Sequence, residues 1–180
     1  MRVRHLVALA GAACAPESAI GESCPPLRLS EVVALSTWFG GEGDTGHALS
    51  HPDWIELHNA SDRRLTLTGF GLDSNGAVWR FGETPDPSVT FAPVELGADG
   101  YLVVYADGLL YLGPRHASFD LTSNPQDIEL LGPEGQHCER VGFTALHADT
   151  SFARCGDPEA PTWVVDHTPT PGAPNDCGPD

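Results

Sequence analysis

The sequence predicts an all-β fold in one domain, a β-sandwich, on three observations. Twenty glycines and 16 prolines are scattered through 180 residues, which breaks the backbone too often for a helical bundle. No uninterrupted amphipathic stretch reaches helical length. Short alternating or continuous apolar runs recur along the chain with Gly or Pro between them, as in a sandwich. A chain of this length hides roughly two-thirds of its unfolded surface as one unit, so a single sandwich is the natural count.

The elements follow in order. Leu27-Arg28-Leu29-Ser30-Glu31-Val32-Val33-Ala34-Leu35 alternates and then becomes continuously apolar, as an inner strand can. Residues 37–52 form a long, glycine-rich loop. Asp53 to Ala60 puts Ile55 and Leu57 on one face and Trp54, Glu56 and His58 on the other, a period of two. Asn59-Ala60-Ser61-Asp62 turns the chain. Leu65 and Leu67 lead to Gly69, and Phe70 and Leu72 lead to Asp73-Ser74-Asn75-Gly76. Asn-Gly between apolar alternations predicts a hairpin that returns through Trp79 and Phe81.

Gly82 to Ser88 reads as a Pro-rich loop, and Val89, Phe91 and Val94 as a continuation of the sheet up to the turn Gly97-Ala98-Asp99-Gly100. Tyr101 to Ala106 is apolar throughout and is expected to be the most buried strand. Short strands are expected at Ser118 to Leu121, Asp127 to Leu131, His137 to Phe143, Ser151 to Cys155 and Thr162 to Val165.

The start of the chain reads as an export leader over residues 1–13. Met1 to His5 is basic, Leu6 to Ala13 is a short apolar run, and small residues precede Cys14. The run is too short to span a bilayer as a permanent helix. Ala10-Gly11-Ala12-Ala13-Cys14 resembles a bacterial lipobox, with Gly11 where Leu is usual; lipidation at Cys14 and ordinary cleavage within Ala10-Gly11-Ala12-Ala13 are both open. Residues 14–26 read as a flexible tether, and the domain as residues 27–176.

With Cys14 set apart, Cys24, Cys138, Cys155 and Cys177 remain, the number two disulfides need. Three connectivities are open. The preferred one joins Cys138 with Cys155, in neighbouring segments, and Cys24 with Cys177, at chain ends that should lie close together. No C-x-x-C pair points to zinc. Disulfides imply an oxidising compartment.

Net charge is −16, and every basic residue is Arg. Losing Arg2 and Arg4 with the leader leaves seven basic against 25 acidic residues, or −18. Such a surface repels phosphate backbones and excludes nucleic acid as a partner.

Five pieces then stand in one order: Trp54-Ile55-Glu56-Leu57-His58-Asn59, Leu67-Thr68-Gly69-Phe70, Tyr101-Leu102-Val103-Val104, Ser151-Phe152-Ala153-Arg154 and Thr170-Pro171-Gly172-Ala173-Pro174-Asn175. Their order and spacing resemble the lamin-tail domain family over nearly all of the domain. The resemblance implies an immunoglobulin-like β-sandwich used for binding or tethering. Glu56 and Asn59 are then structural, holding the turn at Asn59 to Asp62, and Pro171 to Asn175 fixes the chain end.

Candidate chemistry is thin. Asp44-Thr45-Gly46 matches the short core of an aspartic-protease site but follows a polar loop and has no second copy. His47 and His51 are four apart in a loop, where that spacing does not put them on one helical face. No G-x-S-x-G serine motif occurs. The acidic loops at Glu42 to Asp44, Asp73 to Asn75 and Glu83 to Asp86 could offer oxygen ligands to calcium, the one cofactor considered, although none has EF-hand spacing. Trp38 lies in the long loop without a strand to bury it, whereas Trp54, Trp79 and Trp163 fall in strand patterns and should pack. Asn59-Ala60-Ser61 fits a glycosylation acceptor.

The expectation is a non-enzymatic binding or anchoring module at the bacterial cell envelope or outside the cell. It would be a surface lipoprotein or a secreted protein, touching the membrane only through a lipid on Cys14. Its partner would be a protein or glycan of the envelope, with Trp38, Asp44 and His47 as candidate contacts. The alternatives are a small secreted hydrolase with its site in residues 37–52, and a calcium-dependent adhesion module.

Overall fold

The structure, a computed structural model, describes residues 24–37, 51–158 and 160–178. Cys14, Trp38, Asp44 and His47 lie outside the described residues, so the expectations placed on them are not addressed by the fold. The strands are β1 (Leu27–Val33), β2 (Asp53–Asn59), β3 (Leu65–Thr66), β4 (Gly71–Ser74), β5 (Ala77–Arg80), β6 (Glu95–Leu96), β7 (Tyr101–Ala106), β8 (His116–Ala117), β9 (Gln126–Leu131), β10 (His137–Phe143), β11 (Ser151–Asp157) and β12 (Ala160–Asp166). A six-stranded sheet runs β12-β11-β1-β2-β7-β8, a four-stranded sheet runs β10-β9-β4-β5, and β3 pairs with β6. The result is an all-β, immunoglobulin-like sandwich.

The main core lies between the two sheets. Leu29, Ile55, Leu57 and Val104 from the larger sheet pack with Leu72, Trp79, Ile128, Leu130 and Val141 from the smaller, and Leu67, Phe70 and Phe81 close the side. The Asn75–Gly76 hairpin forms as predicted. Both turn residues have positive φ (51° and 91°), which suits Asn and Gly and matches the twist of β4 and β5. Trp54 and Trp79 are buried, and Trp163 stacks on Phe152.

A bulge at Ser30 shifts the register between Leu29 and Glu31. Before it Leu27 and Leu29 face the core, and after it Val32 does, so the extra residue reverses the phase of the strand. Glu31 is thereby turned to the outer face, directly opposite Glu56 on β2. That outer face is covered too. Val33, Trp54, Val103 and Tyr105 form a second apolar cluster on it, and the segment after β12 crosses it beside Glu31 and Glu56.

Several expectations need correction. The disulfides join Cys24 with Cys138 and Cys155 with Cys177, not Cys138 with Cys155 and Cys24 with Cys177. Cys138 is on β10 in the smaller sheet, and β10 runs beside the start of β1, where the Glu139 carboxylate accepts the Leu29 N–H at 2.8 Å. Cys24 therefore meets Cys138, while Cys155 on β11 meets the returning C-terminal segment. Cys24 to Pro26 are bonded to the domain rather than tethering it, since the Pro26 carbonyl also accepts the Ala60 N–H at 2.8 Å. Val89 to Val94 is irregular, and β6 begins only at Glu95. The strand expected at Ser118 is β8 at His116–Ala117, pairing parallel to β7. The most buried strand is β1 rather than β7, because Tyr101 and Leu102 are part-exposed.

Candidate functional site

Three neighbouring strands place one row of side chains on the outer face of the larger sheet. Arg28 on β1 is opposite His58 on β2, and His58 is opposite Tyr101 on β7. Cross-strand neighbours in this register are close enough for their side chains to touch. The His58 and Tyr101 rings stack with centroids 4.3 Å apart and planes 9° from parallel. Asp99, in the turn leading into β7, takes a left-handed φ of 51° that Asp tolerates, and its Oδ1 lies 2.8 Å from His58 Nε2.

Around this row is a cleft of about 520 Å3, within the roughly 300–1,000 Å3 of small-molecule sites. Pro26, Ala60 and Asp99 border one side; Arg154, Cys155, Pro158, Pro174, Asn175 and Cys177 border the other. The second wall exists because the C-terminal segment is fastened down. Asn175 Nδ2 donates to the carbonyls of Ser30 (3.0 Å) and Arg154 (2.9 Å), and Cys177 is bonded to Cys155.

Within the cleft the charges are unequal. Arg154 pairs with Glu139 and also donates to the Pro158 carbonyl at 3.1 Å. Arg28 is held by the carbonyls of Pro25 and Leu27, at 3.1 and 3.0 Å, both through the same nitrogen. No carboxylate among the described residues forms an ion pair with it. Burial first, and then the carboxylates of Asp99 and Glu56, push the Tyr101 phenol above its ordinary value, so its hydroxyl stays protonated.

Behind the second wall lies a row of buried carboxyls. Glu31 accepts the Thr170 N–H at 3.1 Å, Glu56 accepts the Gly172 N–H at 2.5 Å, and Asp166 accepts the Thr168 N–H at 2.8 Å. Burial raises the Glu31 carboxyl, against the opposing pull of its hydrogen bonds; Asp166 adds to the rise. Burial pushes Glu56 up to about 8, with the Gly172 N–H opposing and Glu31 adding to it. Oε2 of Glu56 and Oδ2 of Asp166 are buried without a hydrogen-bond partner among the described residues.

Glu56 thus differs from the expectation. It holds the C-terminal segment, not the turn after β2. Of the two, it is Asn59 that holds that turn, accepting the Ser61 N–H at 3.2 Å and donating to the carbonyls of Arg63 (2.7 Å), Leu96 (3.2 Å) and Gly97 (2.7 Å). A fully buried amide so engaged is no glycosylation acceptor in the folded protein.

Glu42 to Asp44 lies outside the described residues, and the other two acidic loops are internally engaged. Asp73 Oδ1 caps the hairpin by accepting the Gly76 N–H at 2.6 Å. Asp86 accepts the N–H and hydroxyl of Ser88, which lowers its carboxyl below the ordinary value. In the pocket beside the hairpin, Arg140 binds Asp127 at 2.5 Å and lies 3.7 Å from Glu129. Among the described residues no three His, Cys, Asp or Glu converge as a metal would require. No helix among them is long and apolar enough to cross a membrane.

No protein-family model matches the chain, and no curated protein does. Sequence reasoning missed the cleft and the role of Glu31. Arg28, His58 and Tyr101 are far apart in sequence and meet only through strand register. The one available signal was the slip of alternation between Leu29 and Val32.

Proposed function

We propose that this chain is a non-catalytic binding or anchoring module of lamin-tail type, exported and displayed at the bacterial envelope through a lipid on Cys14 or released from it. The observation that carries this reading is the cleft over Arg28, His58 and Tyr101. It is concave, mixed in polarity, and walled by segments fixed through a disulfide and hydrogen bonds, which is the form of a preorganised recognition site. The motif residues that carry the resemblance support it in a second way. Glu56 and Gly172 hold each other at 2.5 Å, and Asn59 and Asn175 direct their amides to backbone carbonyls. These motif residues hold together the scaffold on which the cleft is built. Two disulfides fit folding in an oxidising compartment.

The test is cosedimentation of the purified chain with envelope fractions of its host, alongside the intact mass of the native protein. Saturable cosedimentation and a diacylglycerol adduct at Cys14 are expected. A chain that stays in the supernatant with every fraction ends the envelope-binding reading, and a lipid-free mass makes it a diffusible module.

A further inference from the structure

We infer that the cleft over Arg28, His58 and Tyr101 takes a neutral saccharide, its hydroxyls held between the Asp99 carboxylate and the Arg28 guanidinium. The inference rests on the binding-module reading and specifies its ligand.

Three polar groups facing the cleft have bonding capacity left over. Asp99 uses Oδ1 on His58 and is 87% exposed, and Oδ2 makes no hydrogen bond among the described residues. Arg28 uses one nitrogen on two carbonyls, which fixes the guanidinium while leaving the rest of its fork free of partners among the described residues. The Tyr101 hydroxyl likewise makes none. A strong acceptor, a strong donor and a phenol in one cleft match a polyol, whose every hydroxyl both donates and accepts.

The apolar lining fits the same ligand. Pro26, Pro158 and Pro174 offer rigid hydrocarbon to the C–H faces of a pyranose, next to the edges of the stacked His58 and Tyr101 rings. His58 and Tyr101 sit on paired strands, Pro174 lies on the stapled segment, and the carbonyls of Pro26 and Pro158 are hydrogen-bonded to Ala60 and Arg154, so little ordering is left to be done on binding.

Charge decides against the neighbouring classes. Among the described residues Arg28 is the cleft's single cation without a carboxylate partner, and Asp99 lines the same cleft, so the site is nearly neutral. On a chain of net charge −16, one such Arg does not attract a phosphate or a polyanionic glycan. An extended peptide is disfavoured because β1 and β2, which form the floor, are paired on both sides and offer no edge for strand addition.

The experiment is an NMR titration of the oxidised chain with cellobiose, maltotriose and N,N′-diacetylchitobiose, each up to its solubility limit. At least one should shift Arg28, His58 and Tyr101 resonances saturably. Asp99→Asn, which suits an exposed left-handed turn position, and Arg28→Met should each weaken that sugar about tenfold or more. The inference is overturned if no sugar moves the cleft resonances, or if both variants bind as well as the wild type. A proline-rich peptide or a uronic-acid oligosaccharide that shifts the cleft when the neutral sugars do not would overturn the ligand class while leaving the binding-module reading intact. Absence of envelope cosedimentation would strike that reading alone.

Discussion

On its inner face the six-stranded sheet meets the smaller sheet through Leu29, Ile55, Leu57 and Val104, whereas beside Glu31 and Glu56 its outer face is covered by the C-terminal segment. The inner contact is apolar and proportional to area removed from water, so it is insensitive to pH, and its one disulfide, Cys24–Cys138, sits at its edge. The outer contact depends on carboxyls that titrate and on a disulfide that can be reduced. Two burials of one sheet therefore respond to different conditions.

The largest effect that would sharpen this contrast is on the inner face. Leu57→Ala should cost roughly 2 to 5 kcal/mol, the range for a fully buried Leu, and urea midpoints should show the loss equally under oxidising and reducing conditions. A loss that vanished on reduction would break the contrast.

Next is the outer face. Replacing Cys155 and Cys177 together by Ser removes a cross-link with a sequence separation of 22, worth about 3 kcal/mol by loop entropy. Hydrogen exchange should then show protection lost at Thr170 and Gly172 but kept at Ile55 and Val104. Uniform loss of protection would mean that the two faces unfold as one unit.

A smaller, signed effect comes from Glu56. Its carboxyl ionises near 4.5 in the unfolded chain and at about 8 in the fold. Between those values the folded state holds the extra proton, so stability falls as pH rises through that window and levels off above it. Glu31, also raised, acts in the same direction. Glu56→Gln keeps an acceptor for Gly172 and cannot ionise. At the upper end of the window it should exceed wild type by about 1 kcal/mol or more, read from urea midpoints against pH; a wild-type curve that rises through the window would refute the assignment.

The smallest expected effect belongs to neither face. Gly76→Ala forces a methyl group onto a φ of 91° with open space around it, costing about 1 kcal/mol with the pH and redox profiles unchanged.

The two faces also differ in how much of them could be read in advance. Ile55 with Leu57, Trp79 with Phe81, and the Asn75–Gly76 turn are local signals set by period and turn chemistry, and all appear where expected. The outer face depends on meetings between distant segments. Gly172 finds Glu56 across 116 positions, and Asn175 finds Ser30 across 145; no local pattern encodes either distance. Val89 and Phe91 misled because apolar residues between Pro87 and Pro93 resemble a strand while the prolines remove donors a ladder needs. Only the lapse of alternation at Ser30 carried information about the outer face, since a bulge reverses the phase that follows it.

The cleft has one wall made by the last stretch of the domain to be synthesised. Until Pro174, Asn175 and Cys177 have emerged and Cys155 has been oxidised, Arg28, His58 and Tyr101 line an open surface rather than a recess. If the proposed binding role holds, a nascent or reduced chain would have little capacity to engage a ligand there. On that reading, recognition would begin only after this segment has emerged into an oxidising environment, so the timing of assembly would itself keep the site from acting too early.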